Sequence, residues 1–212
     1  MASFFAPPTS STSALGPQLE PWHPDSKFET FGSGLDVSDL TPAGEQFDVQ
    51  KVSIAFLAQH FSINPGSIVY RNGYEDDVTK HAFLGQIYDN IALANADAHV
   101  TFNKANKVAS VSAAFVTITS TSVHPSSATI PYSAAIKTAE DTLHGTYVPP
   151  STPDTSGAQD DKQFLEYLAN QDSSLTLVYG VPVKNDSEGT YFQAYVDAQG
   201  GGVVAATNYV AH

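Results

Sequence analysis

Residues 87–116 read IYDNIALANADAHVTFNKANKVASVSAAFV, and their periodicity decides the fold. Ala98, Val100 and Phe102 alternate with His99, Thr101 and Asn103, the period-two pattern of a half-buried strand. NKANK (103–107) supplies turn residues, and Val108 opens a second extended run through Val116. The stretch predicts two adjacent antiparallel strands, apolar on one face and rich in Thr, Asn and Lys on the other. The apolar face needs a cover, and a helix is the ordinary one.

Upstream, Val49, Val52 and Phe56 form a stripe at helical spacing, and Ile54, Leu57 and Phe61 widen it. Thr41-Pro42 carries a start signal, Thr as N-cap and Pro at the first helical position. The reading predicts a helix over 43–61, ended by Asn64-Pro65-Gly66 and packed on that sheet. Ile68 and Tyr70 then return to period two. Downstream, TSTSVHPSSATIP (119–131) has linker composition. Tyr132, Ala135, Ile136, Ala139 and Leu143 share one helical face, with Gly145 as the stop. VPPSTPDTSGAQDD (148–161) reads as a loop. FLEYLA, LTLVYGVPV, TYFQAYVDA and VVAATNYVA follow as strands of a meander, separated by NQDSS, KNDSEG and QGGG. The first of these has a helical alternative, but the tight turn behind it favours a strand.

One plan therefore occurs twice, a helix followed by antiparallel strands. The expected architecture is α+β: two small modules over 28–120 and 121–212, each a sheet curled around a helix. Residues 1–27 carry five prolines and a Ser/Thr patch, and are expected to form an irregular arm. Trp22, the sole tryptophan, is expected to anchor the end of that arm.

Composition narrows the chemistry. In 212 residues, 22 acids against 9 bases give a formal charge of −13, which repels a phosphate backbone and argues against nucleic acid. With no cysteine there is no disulfide, no thiolate nucleophile and no Cys-held metal. No apolar run approaches the roughly 18 residues of a membrane helix, and no intact signal peptide is visible. Asn185-Asp186-Ser187 is an N-glycosylation sequon, weak support for secretion. HExxH, GxSxG, the P-loop and the dinucleotide fingerprint are all absent. GSGLD and QGGGVV are glycine-rich, but neither joins a strand to a helix, so both read as turns.

The seven histidines are His23, His60, His81, His99, His124, His144 and His212, and none sits in a zinc-protease spacing. His81 and His99 fall on neighbouring strands, where they could share a metal; as polar-face residues of a half-exposed sheet they need none. Asp76-Asp77 and Asp160-Asp161 are adjacent carboxylates. Neighbours in a strand point to opposite faces, so each pair reads as solvated loop rather than an acid/base couple. Asp89 and Asp97 flank the central motif; a turn or partner-facing role is the alternative to plain surface Asp, which is the default reading. Tyr191 and Tyr195 share a strand face, with core packing favoured over a binding platform. Catalytic residues, cofactor and metal are all read as none, and the chain is expected not to be an enzyme.

These residues carry a resemblance. FETFGSGLD (28–36), the helix ending AFLAQHF (55–61), residues 71–116 and YFQAYVDAQGGGVVAATNYVA (191–211) occur in an order that resembles the propeptide of fungalysin-type secreted fungal zinc metalloproteases. Residues 71–116 look like that family's run GV.VANA...V..N..GKV....S.FV, and 191–211 like its W.EAFVDA.TG.V....D.VA. The chain departs from the pattern where Tyr191-Phe192 stands for an aromatic pair led by Trp, where Gly200-Gly201-Gly202 replaces a Thr-Gly turn, and where Asn208 replaces Asp. The family's catalytic domain is missing. That suggests an excised propeptide or a free-standing protein derived from one.

The resemblance implies a cystatin-like form for each module, secretion, and a function. The chain would bind, inhibit and help fold a fungalysin-type zinc metalloprotease catalytic domain, with no nucleic-acid or membrane partner. Asn208, Tyr209, Val210, Ala211 and His212 abut the family's propeptide–enzyme junction, so this tail either enters the protease cleft or completes the last strand. The alternative function is a free-standing secreted interaction protein, at a cell surface or active on immunity, that no longer inhibits a protease. A third, weaker alternative is a ligand pocket between sheet and helix.

Overall fold

The computed structural model describes residues 19–118, 122–149 and 161–210. The stretch 87–116 forms the end of β3 (Thr79–Tyr88), then β4 (Ile91–Asn103) and β5 (Val108–Ala113). Asp89 and Asn90 turn the first hairpin with φ of 50° and 62°, as a two-residue turn of this hand requires. Asn103 turns the second: its Oδ1 accepts from the Ala105 and Lys107 amides at 2.9 and 3.1 Å. β4 and β5 pair antiparallel, with Val100 opposite Val111. The second run stops at Ala113 rather than Val116. The Gln86 side chain takes over there, donating to the Val116 carbonyl at 2.8 Å and accepting from its amide at 2.9 Å.

Before them come β1 (Lys27–Leu35), α1 (Val49–Phe61) and β2 (Ile68–Glu75). α1 starts six residues later than the sequence signal at Ala43. Gly44 sits at φ +86°, which breaks any helix begun at Thr41-Pro42. The N-cap is Asp48, whose Oδ1 accepts from the Lys51 amide at 3.1 Å. The helix ends at Ser62, left-handed at φ 57°. Asn64-Pro65-Gly66 opens a separate 3-10 turn, with Asn64 Oδ1 accepting from the Gly66 amide.

The remainder is α2 (Tyr132–Leu143), β6 (Thr146–Tyr147), β7 (Leu165–Ala169), β8 (Leu175–Asn185), β9 (Thr190–Asp197) and β10 (Val203–Asn208). FLEYLA is thus largely strand, and the four-strand meander is present. α2 has the expected span, but its left-handed C-cap is His144 rather than Gly145. Its N-terminus borrows a cap: Asp161 Oδ2 accepts from the Tyr132 amide at 3.0 Å.

All pairings between named strands are antiparallel except one. The order is β1-β5-β4-β7-β8-β9-β10, with β3 also on β4, β2 on β3 and β6 on β8. The exception is β4 with β7, parallel through Leu93 and Tyr167. Two large apolar cores result. Val52, Phe56 and Leu57 of α1 pack on Leu84, Val100, Phe102 and Val111. Tyr132, Ala135, Ala139 and Leu143 of α2 pack on Leu177, Val181, Phe192 and Val196. Each fully buried large side chain of this kind contributes about 1.5–3 kcal/mol. The fold is mixed α+β: a curled sheet with two helices.

Candidate functional site

α1 covers one face of the sheet's first half, and the chemistry gathers on the other. Cross-strand register builds it. Tyr74 lies opposite His81, Phe83 opposite His99, and His81 opposite Thr101. His81 Nδ1 and His99 Nε2 are 2.9 Å apart, with ring planes 16° from parallel and centroids 5.2 Å apart. That separation is one hydrogen bond plus a ring radius at each end, so the two imidazoles meet edge to edge in nearly one plane. Tyr74 stacks on His81 at 4.4 Å and Phe83 on His99 at 4.4 Å. Tyr74 and Phe83 are 6.2 Å from each other, so both cover the same side of the imidazole plane.

The pair is tied to a carboxylate. Thr79 Oγ1 lies 2.8 Å from His81 Nε2 and 3.2 Å from Asp76 Oδ1. The amides of Val78 and Thr79 donate to Asp76 and hold its carboxyl below the usual range, with Thr79 and His81 adding to the effect. Burial, then the His81 charge, holds His99 below the ordinary imidazole range. Beside the pair, Arg71, Asn72, Phe83, Asp97 and His99 border a shallow depression of about 520 Å³.

Arg71, the only arginine, reaches from this face to the seam between the halves. Its Nη2 donates to the Leu93 carbonyl at 3.0 Å. Gly85 makes the path possible, since a Cβ there would lie 2.4 Å from Arg71 Nε. Across the seam stands Glu166, whose carboxyl is pushed up by burial and partly restored by the Arg71 charge. Asn95 completes the seam. Its amide donates to the Ala169 carbonyl and accepts from the Ala169 amide, both at 2.9 Å, and donates to the Trp22 carbonyl at 2.7 Å. It thereby imitates a strand backbone. Asn95 and Arg71 have no periodicity signal, and sequence reasoning gave neither a role.

The other candidates fall in ordinary places. His81 and His99 do come together, but among the described residues no group of three or more His, Asp or Glu is placed to hold a metal ion. Asp76 and Asp77 sit in the β2–β3 turn and Asp89 in the β3–β4 turn; Asp97 is exposed. Asp161 is a helix cap, and Asp160 lies outside the described residues. Trp22 packs against the second core, as an anchor would. Tyr195 joins a small cluster with Leu168, Val178 and Ala205, while Tyr191 lies 6.2 Å from the Tyr209 ring. Asn185 is 5% exposed, and its Oδ1 accepts from the Ser187 amide at 3.0 Å and the Ser187 hydroxyl at 2.6 Å. The sequon asparagine therefore serves as a turn cap. Of the tail, Asn208 ends β10 opposite Phe192, and the Tyr209 amide donates to the Tyr191 carbonyl at 2.8 Å. Tyr209 is 62% exposed. The Val210 amide donates to Asn208 Oδ1 at 3.0 Å. Ala211 and His212 lie outside the described residues.

No known family pattern matches the chain, and no curated protein matches it. Among solved structures, the C-terminal domain of Bacillus megaterium YpeB is a distant neighbour. Its TM-score is 0.39 at 11% identity, over 79% of this chain and 68% of that one.

Proposed function

We propose that this chain is a non-catalytic, propeptide-like protein that binds, inhibits and assists the folding of a secreted fungalysin-type zinc metalloprotease. Each half is read as a cystatin-like sheet around its helix. One observation carries the reading. The four sequence pieces that bear the resemblance are sheet and helix elements in the same order: β1, the end of α1, β2 through β5, and β9 with β10.

Physically, a protein that binds the native protease but not its unfolded chain stabilises the native form by mass action. If it also binds the folding transition state, folding accelerates. Inhibition needs a segment in the cleft. An extended tail supplies one through main-chain hydrogen bonds to a protease edge strand. An imidazole on that tail would take the zinc's open position. Asn208 ends β10, and the Tyr209 amide continues the pairing to the Tyr191 carbonyl. Titrating a fungalysin-type protease with the full chain tests the function, and stoichiometric inhibition is expected. Absence of inhibition at micromolar concentration would discard it in favour of the secreted interaction protein. Deleting 208–212 tests the tail separately; inhibition that survives the deletion would rule out its entry into the cleft.

A further inference from the structure

The two imidazoles on the open face of the sheet are joined through a contact that accommodates one proton and has no room for two. At 2.9 Å and edge to edge, a single N–H lies between His81 Nδ1 and His99 Nε2, donated in one direction or the other. A first added charge is compatible with that bond. A His81 imidazolium donates from Nδ1 to the His99 lone pair, and from Nε2 to Thr79 Oγ1, which in turn donates to Asp76. A second added proton would set two N–H groups head to head and two cations in contact.

We propose that His81 and His99 form an acid-opened clasp between β3 and β4, closed while one proton lies between the rings and forced apart when both rings are fully protonated. Opening removes the N–H···N bond and unstacks Phe83 from His99, loosening the outer face of the first half of the sheet. The neighbours define how the clasp responds. From β2 come Tyr74, stacked on His81, and Arg71, beside the depression next to His99. The β2–β3 turn contributes Asp76, through Thr79. β3 contributes Phe83, and β4 contributes Thr101 at 3.4 Å and exposed Asp97. From β5, the residues paired with Thr101 and His99 are Ser110 and Ser112, which do not titrate in this range. Asp76 thus favours the first charge on His81. Beside His99, Arg71 and Asp97, of opposite sign, border the same depression. Protonating His99 is the step that opens the clasp, and its burial, with the His81 charge, defers that step to more acid pH. The device acts within this chain and assumes no partner.

Nitrogen NMR of the imidazoles in the full-length protein, followed from neutral to acid pH, tests it. The expected spectrum has a through-bond coupling between His81 Nδ1 and His99 Nε2 at neutral pH that vanishes in acid. His99 should titrate below the ordinary imidazole range, and H81Q should move the His99 midpoint upward. Hydrogen exchange adds a second readout. Relative to the intrinsic exchange rate at each pH, acid should lower the protection of the β3–β4 amides in the wild type and much less in H99Q, where a glutamine carbonyl still accepts from His81 but cannot be charged. Independent titration of the two rings, or a His99 midpoint unmoved by H81Q, would overturn the clasp. Were H81Q or H99Q unable to fold, the wild-type coupling and its loss in acid would decide alone.

Discussion

Glu166 shows how one carboxyl can report on the seam. Its folded pKa is raised by burial, with the Arg71 charge only partly opposing. A carboxyl raised on folding contributes its stability below the unfolded pKa and loses it as pH rises through the folded one. Glu166→Gln removes that loss. The variant is therefore expected to have a higher urea midpoint than wild type near neutral pH, with the difference closing by about pH 4. A difference independent of pH would show that the carboxyl ionises freely. Asn95 is the other residue on which the seam depends, at 8% exposure and with three hydrogen bonds. Asn95→Ala strands the Ala169 amide and carbonyl together with the Trp22 carbonyl. The expected cost is about 2–4 kcal/mol in denaturant unfolding, because buried backbone groups without partners forfeit their desolvation energy.

At the scale of elements, β2 is coupled to β4 by a side chain that crosses over β3. Arg71 passes over Gly85 to the Leu93 carbonyl. Gly85→Ala would place a methyl against Arg71 Nε, and since a guanidinium is the far end of a flexible chain, it would move rather than the strand. Gly85→Ala and Arg71→Ala should each cost about 1–2 kcal/mol by losing the same bond. The double variant should then cost little more than either alone, in a cycle read by urea unfolding. Additive costs would mean that the two residues act separately. Most elements were legible because hydrophobic period registers them directly: Ala98, Val100 and Phe102 as strand, Tyr132 through Leu143 as helix. The start of α1 was misread because Thr41-Pro42 carries the same local signal as a true cap, and only the left-handed Gly44 cancels it. The His81–His99 neighbourhood was visible as two polar-face histidines on adjacent strands. Its edge-to-edge contact was not, because that depends on the diagonal register of β3 on β4. The seam was invisible for a different reason. Asn95 and Arg71 bond to backbone atoms distant in sequence, and no periodicity encodes such partners.

The whole molecule turns on β4, a strand of 13 residues shared by both cores. Leu93 and Ala96 belong to the core under α2, while Ala98, Val100 and Phe102 belong to the core under α1. Either half therefore unfolds only by releasing a strand the other half uses. Among the described residues, strand pairing across the seam amounts to one register, Leu93 with Tyr167, so the coupling there rests on this shared strand with Asn95 and Arg71 beside it. Leu57→Ala, at a site with no exposure in the first core, tests that coupling. A cavity there costs about 2–5 kcal/mol. Trp22, the sole tryptophan, packs on the second core and gives a fluorescence signal from the opposite half. If β4 makes the halves cooperative, Leu57→Ala lowers the urea midpoint followed by Trp22 fluorescence as much as the midpoint followed by far-ultraviolet circular dichroism. If the halves are independent, the Trp22 transition stays where it was and the dichroism splits into two steps. The shared strand favours the first outcome, since losing α1 from Val100 and Phe102 also releases the strand that carries Leu93 and Asn95 into the seam.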